Sequence, residues 1–304
     1  EDEFLTGIAQ HLLSAGGKRY RPLLAQVAAE LGPVAGEAPA EAGVAVELIH
    51  LGSLYHDDVI DEAESRRGTV SVNANWSNTV AILAGDFLLA RASEIAAPLG
   101  EEAVALLAQT YAALCEGQFR ELQLIDDVTQ SADDYYGVID RKTASLIRTS
   151  ARLGAMAGGA PSDAVEVATR WGYEIGMVFQ MTDDVLDLVA TDDFLGKPAG
   201  SDIGEGTFTL PVLYALEGED GDKVRALFEN GHPYSSEIVE QVISLVHSGG
   251  HVDRVLEEAR TRIRSAEAAL EKLPAGRVAE VLRNLGSYLT ERVAQALSKP
   301  GSNQ

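Results

Sequence analysis

Two short stretches constrain this chain more than any other feature. Leu54-Tyr55-His56-Asp57-Asp58-Val59-Ile60-Asp61 and Met181-Thr182-Asp183-Asp184-Val185-Leu186-Asp187 each place Asp at i, i+1 and i+4 within an apolar run. On a helix, i and i+4 share a face, so Asp57 and Asp61 come within roughly 5–6 Å between Cβ atoms, as do Asp183 and Asp187. Carboxylates held that close repel, more strongly when partly buried, and something cationic must compensate. Hard oxygen donors of this kind suit Mg²⁺, which keeps positions open for substrate phosphates. Chance alone supplies Asp pairs in so acidic a chain. The other three, at Asp126-Asp127, Asp133-Asp134 and Asp192-Asp193, lack the i+4 partner and sit in polar surroundings.

Nearly every remaining segment has helical period, and alternating β-branched runs are scarce. The spacing predicts helices over 4–15, 79–97, 101–124, 132–157 and 163–188, with a further one from Leu210-Pro211 and two or three more beyond about 222. Before the first triad, Val44, Leu48, Leu51, Tyr55 and Asp58 follow 4-3-4-3 spacing, and Glu64–Gly68 reads as a polar connection. Near the end, Val252, Val255, Ala259, Ile263, Ala266, Leu270 and Leu273 form a core stripe. No composition shift marks a linker. The expectation is one all-α domain over 1–304, a single bundle of ten or more helices around a central cavity, with the two triads facing each other across it.

Charge and composition exclude several classes. A net charge of −23 argues against a nucleic-acid partner, since phosphate backbones demand clustered Lys and Arg. The single Cys115 rules out an intrachain disulfide framework and a CxxC site, which fits a reducing, cytoplasmic setting. No apolar run reaches the length of a transmembrane span, and no signal-peptide pattern is in view. Gly17-Lys18 and Gly196-Lys197 fail the P-loop pattern, no HExxH occurs, and the six His are scattered. The few basic residues in Gly- and Pro-rich breaks, Lys18, Arg21, Arg66, Arg67 and Lys197, suit diphosphate clamps as a group.

The ordered signatures GGKRYRP (16–22), HDDVIDEAESRRG (56–68), GQ (117–118), KTA (142–144), FQMTDDVLD (179–187) and GKPAGSD (196–202) resemble those of the trans-isoprenyl (polyprenyl) diphosphate synthases. That resemblance implies the all-α isoprenoid synthase fold, a homodimer, and Mg²⁺ acting with isopentenyl diphosphate and an allylic diphosphate. It further implies that Asp57, Asp58, Asp61, Asp183, Asp184 and Asp187 ligate the metals or closely support them. Arg66, Lys142 and Lys197 would hold the allylic diphosphate, and Lys18, Arg21, His50 and Arg67 the isopentenyl diphosphate. Thr143 and Gln180 would line the reacting centre. One departure stands out: where many relatives carry Lys, before a Thr-Leu-Pro or Thr-Tyr-Pro, this chain has Thr207.

Product length is expected to depend on the floor one turn below Asp57, about 6 Å down the helix at ~1.5 Å per residue. Gly52 and Ser53 stand there, both small, where short-chain relatives place aromatic rings. A helix-interior Gly costs up to about 1 kcal/mol against Ala, which hints at a need for space; close helix packing would explain it equally. The favoured product is a long all-trans polyprenyl diphosphate of about six to ten isoprene units, by analogy with such relatives, suited to a quinone side chain or lipid carrier and to peripheral membrane contact at release. Three alternatives stand beside it. One is a short-chain farnesyl or geranylgeranyl diphosphate synthase with its floor at Leu88 or Leu89. The others are a class I terpene cyclase and a subunit of a heteromeric synthase inactive alone.

Overall fold

The computed structural model describes residues 3–189, 199–274 and 276–298. Helices dominate, as the periodicity predicts. In chain order they are α1 (Glu3–Ser14), α2 (Tyr20–Ala29), α3 (Glu37–Ile60), α4 (Val72–Asn75), α5 (Asn78–Ala96), α6 (Glu101–Gln123), α7 (Ala132–Ile139), α8 (Ser145–Ala157) and α9 (Ser162–Val189). Then follow α10 (Ser201–Gly204), α11 (Leu210–Glu217), α12 (Gly221–Leu227), α13 (Ser236–Ser248), α14 (His251–Leu270) and α15 (Arg277–Ser298). The predicted helix ends fall within a residue or two of those observed.

Two local features depart from the expectation. The polar connection after the first triad is a tight antiparallel hairpin, β1 (Ser65–Arg66) with β2 (Thr69–Val70), turned by Arg67-Gly68. The predicted helix over 132–157 is interrupted by a π-helical turn at Asp140–Ala144. Helical periodicity continues through such a turn, so the interruption leaves no trace in the apolar pattern. π-bulges inside α-helices occur mostly at functional sites.

The chain packs as two compact units, Glu1–Leu114 with Leu146–Gly172, and Cys115–Ser145 with Tyr173–Gln304. In the first, α3 is the spine. Ala42, Ala45 and Ile49 pack with Ala92 and Ala96 of α5 and Leu107 of α6. Further along, Leu51 and Tyr55 meet Ile8 and Leu12 of α1 and Leu88 of α5. Tyr55 is fully buried, and its hydroxyl donates to the Ile8 carbonyl at 2.7 Å, which pins α1 to α3. Val44, assigned to the buried face from its spacing, is exposed instead. Because α3 is packed on more than one side, its buried surface is wider than a single stripe. A Cβ on Gly154 or Gly158 of α8 would drive into the backbone of α2 at Ala25 and Ala29, so those glycines permit backbone-to-backbone approach.

In the second unit α11 is buried from Leu210 to Leu216 and packs against α7, α13 and α14. The predicted stripe is buried throughout, from Val252 to Leu270 on α14 and at Leu273 just beyond its end. Glu258 of α14 accepts from Tyr136 of α7 and from Tyr214 of α11, the latter at 2.7 Å, while Arg254 lies 3.4 Å over the Tyr214 ring. This polar knot fixes α7 against α11 and α14. None of the helices among the described residues is long and apolar enough to cross a membrane.

Candidate active site

In the first unit, the loop before α2 and the turn of the hairpin bring arginines onto α3. Gly17 makes this possible: its φ is +127°, and a Cβ there would stand 2.9 Å from the Arg67 guanidinium. Arg67 donates to the Gly16 carbonyl at 2.7 Å, and Arg19 pairs with Glu47 at 2.7 Å. Arg19 and Arg67 both hold left-handed backbone, with φ of 49° and 56°. That conformation costs a non-glycine residue about 1–2 kcal/mol and is held only where the surroundings impose it.

At the centre of this cluster is His50. Its Nε2 lies 3.3 Å from Arg21 Nη1 and 3.5 Å from Arg67 Nη2. Burial, followed by the charges of Arg21, Arg67, Arg66 and Arg19, holds its pKa well below the usual histidine range. Four guanidinium groups reach His50, of which Arg19 is paired with Glu47 and Arg66 with Asp58. Such an excess of positive charge suits a polyanion, with guanidinium forks matched to phosphate oxygens. Lys18 is exposed at the rim of this loop.

Two turns along α3 the first triad divides its labour. Asp57 is partly exposed and Asp61 exposed, and the Asp61 amide still donates to the Asp57 carbonyl at 2.8 Å, so helical geometry persists and the two carboxylates share a face. Asp58, one residue on, points inward. Its side chain has no solvent exposure, Arg66 Nε donates to Oδ1, and Oδ2 has no hydrogen-bond partner. Burial raises its pKa and Arg66 pulls it back down. Asp58 therefore anchors the hairpin, while Asp57 and Asp61 are the accessible oxygen donors.

The second triad, in the second unit, repeats this division only in part, since its i+4 member is buried as well as its i+1 member. Asp184 is buried, with Tyr135 donating to Oδ2 at 2.6 Å and Gln180 Nε2 donating to Oδ1 at 2.7 Å. Burial and the nearby Asp202 push its pKa well above the carboxylate range against the pull of those two bonds. Gln180 in turn accepts from Thr143 Oγ1 at 2.7 Å. Asp187 is buried and accepts from Ser201 Oγ at 2.9 Å, which joins the second triad to the Gly200-Ser201-Asp202 end of the following motif. Asp183 remains partly exposed, with Arg292 of α15 at 3.3 Å. Lys197 lies outside the described residues. Thr207 donates its amide to the Asp202 carbonyl at 2.8 Å.

Helices pack closely on the π-turn. A Cβ on Gly117 of α6 would lie 2.7 Å from the Lys142 amide nitrogen, and one on Gly176 of α9 would lie 2.6 Å from Ala144 Cα. Two glycines thus let helix backbones close on the turn that carries Lys142 and Thr143. Lys142 forms an ion pair with Glu121.

Among the described residues no three His, Cys, Asp or Glu side chains converge into a preformed metal cage. In the first unit the accessible carboxylates of the triad are Asp57 and Asp61; in the second unit it is Asp183. Four side chains that contact the candidate residues or their neighbours are not identifiable from sequence: Glu47, Glu121, Tyr135 and Arg292. Only their three-dimensional partners reveal them; the Ser131-x-x-Asp134 capping box is the one nearby readable signal, and it marks only the start of α7.

Of the two floor residues, Gly52 packs against α5: a Cβ there would stand 3.1 Å from the Gly85 carbonyl and 3.2 Å from Leu89 Cγ. Close helix approach therefore accounts for this glycine. Ser53 is partly exposed and donates to the His50 carbonyl at 2.9 Å.

The family model described as polyprenyl synthetase matches residues 2–246. The chain belongs to that family. A nonaprenyl diphosphate synthase of Mycobacterium tuberculosis is 42% identical, over 92% of this chain and 85% of its own. A heptaprenyl diphosphate synthase component 2 of Geobacillus stearothermophilus is 41% identical, over 93% and 88%. Among solved structures, the geranylgeranyl pyrophosphate synthase of Corynebacterium glutamicum complexed with calcium and isoprenyl diphosphate is 40% identical, with a TM-score of 0.85 over 96% of this chain and 90% of that one. The all-α isoprenoid synthase fold expected from the motifs is the fold observed.

Proposed function

We propose that this polyprenyl synthetase family member condenses isopentenyl diphosphate head-to-tail onto an allylic diphosphate, giving a long-chain all-trans polyprenyl diphosphate of about C30–C50 by analogy with its long-chain relatives. One observation carries the reading. Helix α3 bears a cationic cradle at His50 and an exposed carboxylate face at Asp57 and Asp61. Seven residues along a helix return to nearly the same face, about 10 Å further on. One face thus offers a place for a diphosphate bound directly by arginines and a place for one bound through a cation.

In this reading Asp57, Asp61 and Asp183 hold divalent metal, Mg²⁺ by its preference for hard oxygen, with Asp58, Asp184 and Asp187 supporting them. Bound metal supplies the positive charge that makes diphosphate a good leaving group. Arg66, Lys142 and Lys197 hold the allylic diphosphate and stabilise the charge that develops on it. Lys18, Arg21, His50 and Arg67 hold isopentenyl diphosphate so that its double bond faces the allylic carbon. The allylic C–O bond breaks, the new C–C bond forms, and a proton passes to the departing diphosphate, the base nearest the reacting atoms. Thr143 and Gln180 sit at the reacting centre, with the buried Asp184 fixing the Gln180 amide. Apolar walls keep water from the cation.

The growing chain extends past Ser53, whose small side chain leaves it room. The 42% identity to a nonaprenyl synthase supports a long product, and the 40% identity to a geranylgeranyl synthase keeps the short-chain alternative in the test. A homodimer belongs to the same reading, as the family resemblance implies. The name component 2 of the Geobacillus relative keeps in the test the alternative in which the chain needs another subunit. Incubation of the purified chain with labelled isopentenyl diphosphate, Mg²⁺ and a farnesyl or geranylgeranyl primer, followed by chromatography, separates these outcomes. Long products from the chain alone support the proposal. Products of C15–C20 support the short-chain reading, and no product without a second subunit supports the heteromeric one.

A further inference from the structure

We propose that the cradle around His50 takes up its diphosphate together with a proton from solvent, His50 passing from neutral acceptor to charged donor as the anion arrives. The inference rests on the reading of this cradle as the isopentenyl diphosphate site.

Hydrogen-bond polarity defines the starting state. Arg21 Nη1 and Arg67 Nη2 approach the same ring nitrogen, His50 Nε2, at 3.3 and 3.5 Å. A guanidinium has five N–H donors and no acceptor. Nε2 must therefore present its lone pair, and the ring is the neutral Nδ1–H form. The charges that act on it are those of four arginines, two of which, Arg19 and Arg66, are themselves paired with Glu47 and Asp58. Arg21 comes from α2, beside Tyr20; Arg19 comes from the preceding loop, and Arg66 and Arg67 from the hairpin. Glu47 lies on His50's own helix and is already bonded to Arg19. Burial and these cations together keep the ring uncharged, in line with its depressed pKa.

A bound diphosphate reverses each of these conditions. The guanidinium forks turn to phosphate oxygens, with which they form stronger charge-assisted pairs than with an imidazole. Nε2 then loses its two donors and faces anionic oxygen, which only accepts. A protonated Nε2–H satisfies that oxygen, and the negative charge now beside the ring favours the imidazolium. The only other change is one proton drawn from buffer.

Calorimetric titration of the full chain with isopentenyl diphosphate, without metal, tests this. Repeating it at pH 7.5 in buffers of different ionisation enthalpy counts the protons exchanged. The ligand's own ionisation is common to wild type and His50→Gln, so the difference isolates His50. On binding, wild type is expected to take up at least roughly half a proton more than His50→Gln does. Should His50→Gln fail to fold, wild type alone decides: above pH 7.5 the ligand is fully ionised, and coupled uptake raises Kd by up to about tenfold per pH unit. Equal proton counts, or a Kd flat from pH 7.5 to 9, overturn the proposal while leaving the site intact. If wild type shows no binding at all, the reading of the cradle itself falls, and the proposal with it.

Discussion

Arg66 offers the sharpest test of how the first triad is built. It is the ion-pair partner of Asp58, whose side chain is fully shielded from water. Replacing Arg66 with Met keeps the aliphatic stem and removes the charge. Breaking a buried pair from one side typically costs about 3–5 kcal/mol, and the 28% exposure of Arg66 places this case toward the lower end. Protonation of Asp58 sets a ceiling. Neutralising a carboxyl with a solution pKa near 3.9 costs about 1.4 kcal/mol per pH unit above it, so about 4 kcal/mol at pH 7 and about 1.5 at pH 5. Burial already raises the Asp58 pKa, and loss of Arg66 raises it further. The folded Arg66→Met protein then binds a proton that its unfolded chain has released, so its stability falls as pH rises from about 4 toward the new folded value. The expected loss for Arg66→Met is about 2–4 kcal/mol at pH 7, shrinking to about 1 at pH 5, measured by denaturant titration with circular dichroism. Adding Asp58→Asn should restore at least half of it. A loss below about 0.5 kcal/mol at pH 7, or one independent of pH, would show that Asp58 does not depend on Arg66.

Tyr135→Phe strips one of the two donors from buried Asp184; turnover should fall about ten- to a hundredfold, as for other supporting hydrogen bonds around metal sites, and unchanged steady-state rates would remove Tyr135 from the site. Gly154→Ala forces a methyl group against the α2 backbone and should cost about 1–3 kcal/mol, seen as a lower melting temperature; a wild-type melting curve would contradict the close approach of α2 and α8. Ser53→Phe should shorten the product on chromatography, whereas an unaltered chain length would place the floor elsewhere.

How much of this is legible in the sequence differs by element. The helices are readable because apolar spacing is a local property, and the stripe from Val252 to Leu273 is buried as its period requires. Val44 is misplaced by its spacing because a helix packed on several sides has no single face. The π-turn at Asp140–Ala144 is invisible, since the apolar period runs through it and the glycines that pack on it, Gly117 and Gly176, are remote in sequence. Within the triads, i and i+4 spacing identifies the accessible pair Asp57 and Asp61. It does not show that Asp58 and Asp184 turn inward, because their partners Arg66 and Tyr135 meet them only through the fold. The Gly52 expectation illustrates the same limit: an absent side chain signals either open space or a close neighbour, and here Gly85 and Leu89 are that neighbour.

The central claim is that carboxylates at Asp57, Asp61 and Asp183 act through a divalent cation to release diphosphate from an allylic substrate. Diphosphate release from farnesyl diphosphate and isopentenyl diphosphate, followed in one preparation before chelation, after it, and after Mg²⁺ is restored, tests this most directly. Release should fall to background with chelator and return with Mg²⁺, and Asp57→Asn should stay near background throughout. Turnover that survives complete chelation would contradict the account.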